Sequence, residues 1–206
     1  VTALIGLVFA IPFILFVSVG GYLADVFYKP LVIKAGKLAE IFCMLFATVA
    51  FYLEHELMVY AALFLMCTQS ALYGPAKYGI IPDIVGEKQI SRANGIIDGF
   101  LYFSIVLGTA LAPMLSLLTE RNFVLLGALC ALFATSGWLA SLYINSDIRN
   151  NYKIGLARAL PLTLLKRCYQ LRKQRDLLLA VLGAAYFSFI GAYTQLNLIP
   201  YGMEMY

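Results

Sequence analysis

Six long apolar segments, near residues 3–24, 31–53, 57–75, 93–118, 123–145 and 177–199, constrain this chain more than any other feature. Each approaches the roughly twenty apolar residues that an α-helix needs to cross a bilayer. Lipid offers no partner to a backbone N–H or C=O, so a lone apolar segment must satisfy those groups internally, as a helix. Barrel-type alternation of polar and apolar residues is absent. Composition points the same way: 62% of the residues are hydrophobic and 13% are charged, about half of the ~25% charge of an ordinary soluble domain. The expected fold class is all-α, a polytopic membrane bundle.

The basic residues orient it. Lys29, Lys34 and Lys37 lie at the first connection, Lys77, Lys88 and Arg92 at the third, and Arg149, Lys153, Arg158, Lys166, Arg167, Arg172, Lys173 and Arg175 at the fifth. The alternate connections hold Arg121 alone, beside Glu54, Glu56 and Glu120. Cytoplasmic loops collect Lys and Arg, so the first set is expected on the cytoplasmic side of the membrane. The outer connections, around His55 and Arg121, are short and predict tight antiparallel hairpins. Segment 146–176 is long and basic. Within it Leu156, Leu160, Leu164, Cys168 and Leu171 recur at helical spacing opposite Arg158, Lys166, Arg172 and Lys173. That pattern predicts an amphipathic helix on the anionic membrane surface. The expected organisation is a bundle over 1–145, a cytoplasmic linker over 146–176, and the first helix of a second bundle over 177–206. Because the chain opens and stops inside apolar sequence, it reads as a piece of a longer protein.

Several chemistries find no support. The cysteines Cys43, Cys67, Cys130 and Cys168 are scattered, without C-x-x-C or Cys/His spacing, so neither a disulfide framework nor a metal is expected. The histidine, His55, sits between two glutamates in a loop too short to build a cleft, and no nucleophile elbow, acyltransferase pair or P-loop occurs. No enzyme activity and no cofactor are expected of this chain. The basic stretches flank membrane helices, which makes nucleic acid a poor partner.

Two joints carry the functional expectation. After the first span runs Gly20-Gly21-Tyr22-Leu23-Ala24-Asp25-Val26-Phe27-Tyr28-Lys29, followed by Lys34. Glycines permit close helix approach, while Asp25 can bond a neighbouring helix N-terminus and pair with a cation. At the third span's end stands Gln69-Ser70-Ala71-Leu72-Tyr73-Gly74-Pro75-Ala76-Lys77-Tyr78-Gly79-Ile80-Ile81-Pro82. Pro75 and Pro82 with Gly74 and Gly79 predict a broken or kinked hinge. Lys77 is long enough to snorkel and meet a phosphate or Asp25.

Polar residues within spans demand a reason. Asn94, Asp98 and Tyr102 are spaced by four and share a helix face, with Gly95 and Gly99 forming a close-packing G-x-x-x-G beside it. Asp98 is expected to pair with Lys37 or Lys77, or to receive a substrate ammonium. Lys37 and Glu40 are three apart and can pair with each other. Gln69 lies one turn before Tyr73, and Gln195 and Asn197 lie near the end of the last span. All are candidate headgroup contacts, and interhelical hydrogen bonding explains them nearly as well.

The first joint resembles the G-x-L-a-D-r-x-g-r-k motif of the major facilitator superfamily, with Val26 and Tyr28 standing where a basic residue and a glycine are usual. The run Pro75-Ala76-Lys77-Tyr78-Gly79-Ile80, then Arg92-Ala93-Asn94-Gly95, resembles the bacterial lysophospholipid transporter family within that superfamily. The resemblance implies helices two to seven of a twelve-helix carrier working by alternating access, lysophospholipid as substrate, membrane lipids as surroundings, and an acyltransferase, separate or fused, as partner. A carrier of another amphipathic molecule, and a membrane module that anchors a fused acyltransferase, are the alternatives.

Overall fold

The computed structural model describes residues 2–145 and 175–205, with side chains described over 5–145, 175–191, 193 and 194. The described residues are helical: α1 (Thr2–Val26), α2 (Lys29–Tyr52), α3 (Glu56–Gly79), the short α4 (Ile81–Val85), a 3-10 turn (Glu87–Gln89), α5 (Ile90–Leu118), α6 (Phe123–Ser141) and α7 (Arg175–Met205). Four stretches among them are long and apolar enough to cross a membrane: Ile5–Val26, Glu56–Val85, Glu87–Leu118 and Phe123–Ser141. α2 is as long, but its first half carries Lys34, Lys37 and Glu40. α7 belongs to a second compact unit of the chain. The expected surface helix over 146–176 falls almost wholly outside the described residues.

Local chemistry sets the boundaries. α1 ends at Val26, and Tyr28 turns extended before Pro30 seats itself in the first turn of α2, where its missing N–H costs nothing. The turn from α2 to α3 places Glu54 at φ 51°, and the turn from α5 to α6 places Glu120 and Arg121 at φ 50° and 62°. These left-handed residues let the helices reverse within three or four positions. Asn122 then caps α6, its Oδ1 accepting the Leu125 N–H at 3.1 Å.

Packing follows the small residues. α3 lies against both α1 and α2, and α2 continues against α6. A Cβ on Gly20 of α1 would come within 2.6 Å of the Ala71 carbonyl oxygen, and one on Gly127 of α6 within 2.6 Å of Thr48 Oγ1. Within lipid, association rests on such close contact rather than on water expulsion, so a missing Cβ is what lets two helices meet. Ala24, Ile33, Ala76 and Ile80 form a buried cluster where α1, α2 and α3 converge. The approach is made by Gly20; Gly21 has nothing within 4 Å.

The elbow expected over Gly74 to Pro82 breaks at its Gly79–Pro82 end and not at Gly74-Pro75. α3 runs through Pro75 to Gly79, and the interruption comes at Ile80, between α3 and α4. Pro75 lacks only the N–H that would bond Ala71, a loss a well-packed membrane helix tolerates. Gly79 and Pro82 bracket the actual joint, which ends at Gly86 with φ 70°.

Candidate functional site

The corner where α1, α2, α3 and α4 meet gathers most of the candidate residues. Its centre is an ion pair: Lys29 Nζ donates to Asp83 Oδ2 at 2.7 Å, with side chains 14% and 11% exposed. Lys29 opens α2 and Asp83 lies within α4, so the pair fastens the α1–α2 joint to the α3–α4 joint. The lysine stem passes Gly79, whose Cβ, if present, would sit 3.9 Å from Lys29 Cε. Screening is weak for such covered charges, and stripping one partner from a buried pair costs ~3–5 kcal/mol. The pair therefore ties the two joints together, and removing either partner would leave a covered charge unmatched.

This arrangement corrects the expected clasp. Asp25 is exposed and forms no ion pair or side-chain hydrogen bond among the described residues. Lys77 does not reach it; the Lys77 ammonium lies over the Tyr78 ring, 5.2 Å from its centroid. Asp83 supplies the carboxylate instead. The only hint in the sequence was its position directly after Pro82, in a short charged loop where solvation is the ordinary expectation.

Beside this pair lies an apolar cavity of about 340 Å³, walled by Leu23 of α1, Phe27 just after it, Val32 and Ala39 of α2, and Leu72 of α3. Gln69 and Tyr73 also line it, although the exposed lining is almost wholly apolar. Gln69 Nε2 donates to the Gly36 carbonyl at 2.9 Å, an α3–α2 tie worth about 0.6 kcal/mol by membrane precedent. Gly36 admits the Tyr73 ring, which a Cβ there would meet at 3.1 Å. On α2, Lys37 Nζ bonds Glu40 Oε2 at 2.7 Å and also lies 5.4 Å from the centre of the Tyr73 ring. Lys34 is half-buried and makes no ion pair among the described residues. The corner thus combines a greasy cavity with an amide, a phenol and cations on its margins, a set suited to an amphipathic molecule.

Asp98 pairs with neither Lys37 nor Lys77. Its Oδ1 accepts the Tyr78 hydroxyl at 3.0 Å, a bond from α5 back to the end of α3. Lys37 is already held by Glu40 and Tyr73, and Lys77 by the Tyr78 face, so Tyr78 is what comes within reach. Asn94 shares that helix face, with its Oδ1 covered and without a hydrogen-bond partner among the described residues. Tyr102, a turn further, is exposed. Gly95 and Gly99 have nothing within 4 Å, so the expected close packing is not formed among the described residues. Gly74 is likewise open. Gln195 and Asn197 belong to α7, and their side chains lie outside the described residues.

Comparison with known proteins adds an independent line. A sequence profile of the Major Facilitator Superfamily matches residues 1–206. The chain is also similar to the lysophospholipid transporter LplT of Serratia proteamaculans (strain 568), at 31% identity over 75 residues, 36% of this chain and 18% of that protein. The protein of the same name from Yersinia pestis (strain Pestoides F) is 34% identical over 77 residues, again 36% of this chain and 18% of the relative. The matched stretch thus spans under a fifth of either relative's length. No solved structure matches.

Proposed function

Because the chain belongs to the major facilitator superfamily, we propose that it forms part of a carrier that moves lysophospholipids across the bacterial inner membrane by alternating access. The observation that carries this reading is the Lys29–Asp83 pair standing beside an apolar cavity edged by Gln69 and Tyr73. The names of its curated relatives support the substrate. The placement of Lys and Arg supports a cytoplasmic location for the latch.

The physical task is asymmetric. A lysophospholipid has one acyl chain, which loses little by moving from lipid into an apolar wall. Its headgroup must cross a region where an unpaired charge is expensive. Lys34 offers an unengaged cation to a phosphate, and the Lys37–Glu40 pair can exchange partners with a zwitterion while remaining neutral. Gln69 and Tyr73 supply uncharged hydrogen bonds. With the latch closed, the ends of α1–α2 and α3–α4 are tied and the cytoplasmic exit is held. Opening separates Lys29 from Asp83, and water and substrate phosphate must then replace the lost contact. Two bundles rocking about the 146–176 linker provide the movement. An acyltransferase, separate or fused, consumes the delivered lysolipid.

Uptake of radiolabelled lysophosphatidylethanolamine tests this reading, in cells lacking the full-length protein and in cells with it restored. Loss of uptake on deletion, and its return on restoration, is expected. Unchanged uptake in the deletion strain overturns the lipid reading. Altered sensitivity to amphipathic drugs with normal lipid uptake would identify another amphiphile as cargo. Lost acylation with normal uptake would identify a membrane anchor for the acyltransferase.

A further inference from the structure

α6 supplied no candidate from the sequence, because Phe123–Ser141 carries no charged residue. Its hydroxyls are spent on its own backbone: Thr135 donates to the Ala131 carbonyl at 2.8 Å, Ser136 to that of Phe133 at 2.7 Å and Ser141 to that of Trp138 at 2.6 Å. What α6 offers its neighbours is therefore space. Gly127, Ala131, Ala134 and Gly137 follow one another by three or four residues, so they share a face. The two glycines on that face do different things. A Cβ on Gly127 would stand 2.6 Å from Thr48 Oγ1 and 3.2 Å from Thr48 Cα, so Gly127 lets α6 touch α2. A Cβ on Gly137 would instead have the Nζ and Cδ of Lys37 as its neighbours, at 3.8 and 3.9 Å.

We propose that Gly137 is a positioning residue. It keeps open the place where the Lys37 ammonium lies between α6, Glu40 and the Tyr73 ring, and so presents that cation to a substrate's anionic group. The placement of Lys37 stands on geometry alone; its use by substrate rests on the transport reading. Lys37 lies about two turns into α2, a helix that packs against both α3 and α6. Its ammonium donates to Glu40 Oε2 at 2.7 Å and stands 5.4 Å from the centre of the Tyr73 ring. The two side chains of the pair remain 25% and 26% exposed, so the ammonium is reachable while it is held. A methyl at position 137 makes ordinary contact with the lysine. A longer side chain occupies the volume of the lysine stem or head. The stem must then turn away, and the ammonium loses the ring, the carboxylate or both. Partners for a displaced charge are scarce within a membrane span, and α6 has neither a carboxylate nor a spare hydroxyl among the described residues to offer.

Two measurements on the full-length protein test this. Thermal unfolding in detergent of Gly137→Leu, of Lys37→Ala with Glu40→Gln, and of all three changes together forms a cycle. Gly137→Leu should lower Tm by a few degrees, and at most about half as far once the lysine stem is gone, because the new side chain fills the vacated space. Should Gly137→Leu not fold, Gly137→Val runs the same cycle. In uptake of lysophosphatidylethanolamine, KM should rise in the order Ala, Val, Leu at position 137. It should reach about tenfold, as loss of a hydrogen bond to a charged group does. The maximal rate should fall much less, the mark of weakened binding. Gly127→Ala, which spoils packing alone, should lower folded yield without a comparable rise in KM. An equal Tm loss with and without the lysine stem overturns the placement of Lys37 by Gly137. A KM indifferent to residue size at 137, with uptake intact, overturns its part in binding. Absence of uptake by the unaltered protein sinks the transport reading instead, and the thermal cycle then decides the positioning.

Discussion

α1 and α5 are both long apolar helices with a proline inside and glycines along their length, yet they sit in the fold in opposite ways. α1 lies against α3 so closely that Gly20 has backbone atoms of Ala71 and Leu72 within 2.9 Å of where its Cβ would be. Among the described residues α5 has none fully buried; it touches α4, α6, the 3-10 turn and Tyr78 of α3, and most of its length is exposed. The difference teaches that apolarity qualifies a helix for the membrane and says nothing about its neighbours. A surface made to lie in lipid and a surface made to meet another helix are both greasy. What separates them is whether small residues on one helix face carbonyls and small side chains on the other.

That contrast can be broken or sharpened by substitution in the full-length protein. Gly20→Leu should have the largest effect. Its side chain must displace helix backbone, which exceeds the ~1–3 kcal/mol usual for overpacking. Loss of the monodisperse peak in detergent chromatography, or a fall in Tm of ten degrees or more by that arithmetic, is expected. Asp83→Asn comes next. It leaves the Lys29 ammonium covered and unmatched, at ~3 kcal/mol for that state, and lysolipid uptake should fall about tenfold or more while insertion persists. Exchanging the pair, Lys29→Asp with Asp83→Lys, should restore a good part of the uptake. Failure of the exchange, with both proteins well expressed, would reduce the latch to a local contact.

Tyr78→Phe removes the hydroxyl that Asp98 accepts, at an exposed position, and should cost no more than ~1 kcal/mol in thermal unfolding. Gly99→Ala should have the least effect. With nothing within 4 Å, the methyl is accommodated, and better helix propensity offers up to ~1 kcal/mol in return. If Gly99→Ala proved as damaging as Gly20→Leu, α5 would be packed as closely as α1 in the whole protein, and the contrast would fall.

Much of this was legible from the residues alone. Helix identity, approximate ends and the reversal turns followed from the length of the apolar runs and from the charged or prolyl punctuation between them. The Lys37–Glu40 pair was readable too, because a three-residue spacing on a helix brings those side chains together whatever surrounds them. These are local properties, and a chain carries them with it.

The non-local pairings were decided by the tertiary fold. Lys29 meets Asp83 across 54 residues, and Asp25, the more conspicuous carboxylate, faces outward. Tyr78 takes Asp98 before any lysine does. Gly20 does the packing rather than Gly21, although the two are adjacent and chemically the same. Sequence spacing sets which side chains share a helix face; the rotation and crossing of each helix against its neighbours set what that face meets. Those angles emerge from the contacts of whole surfaces, which no single segment encodes.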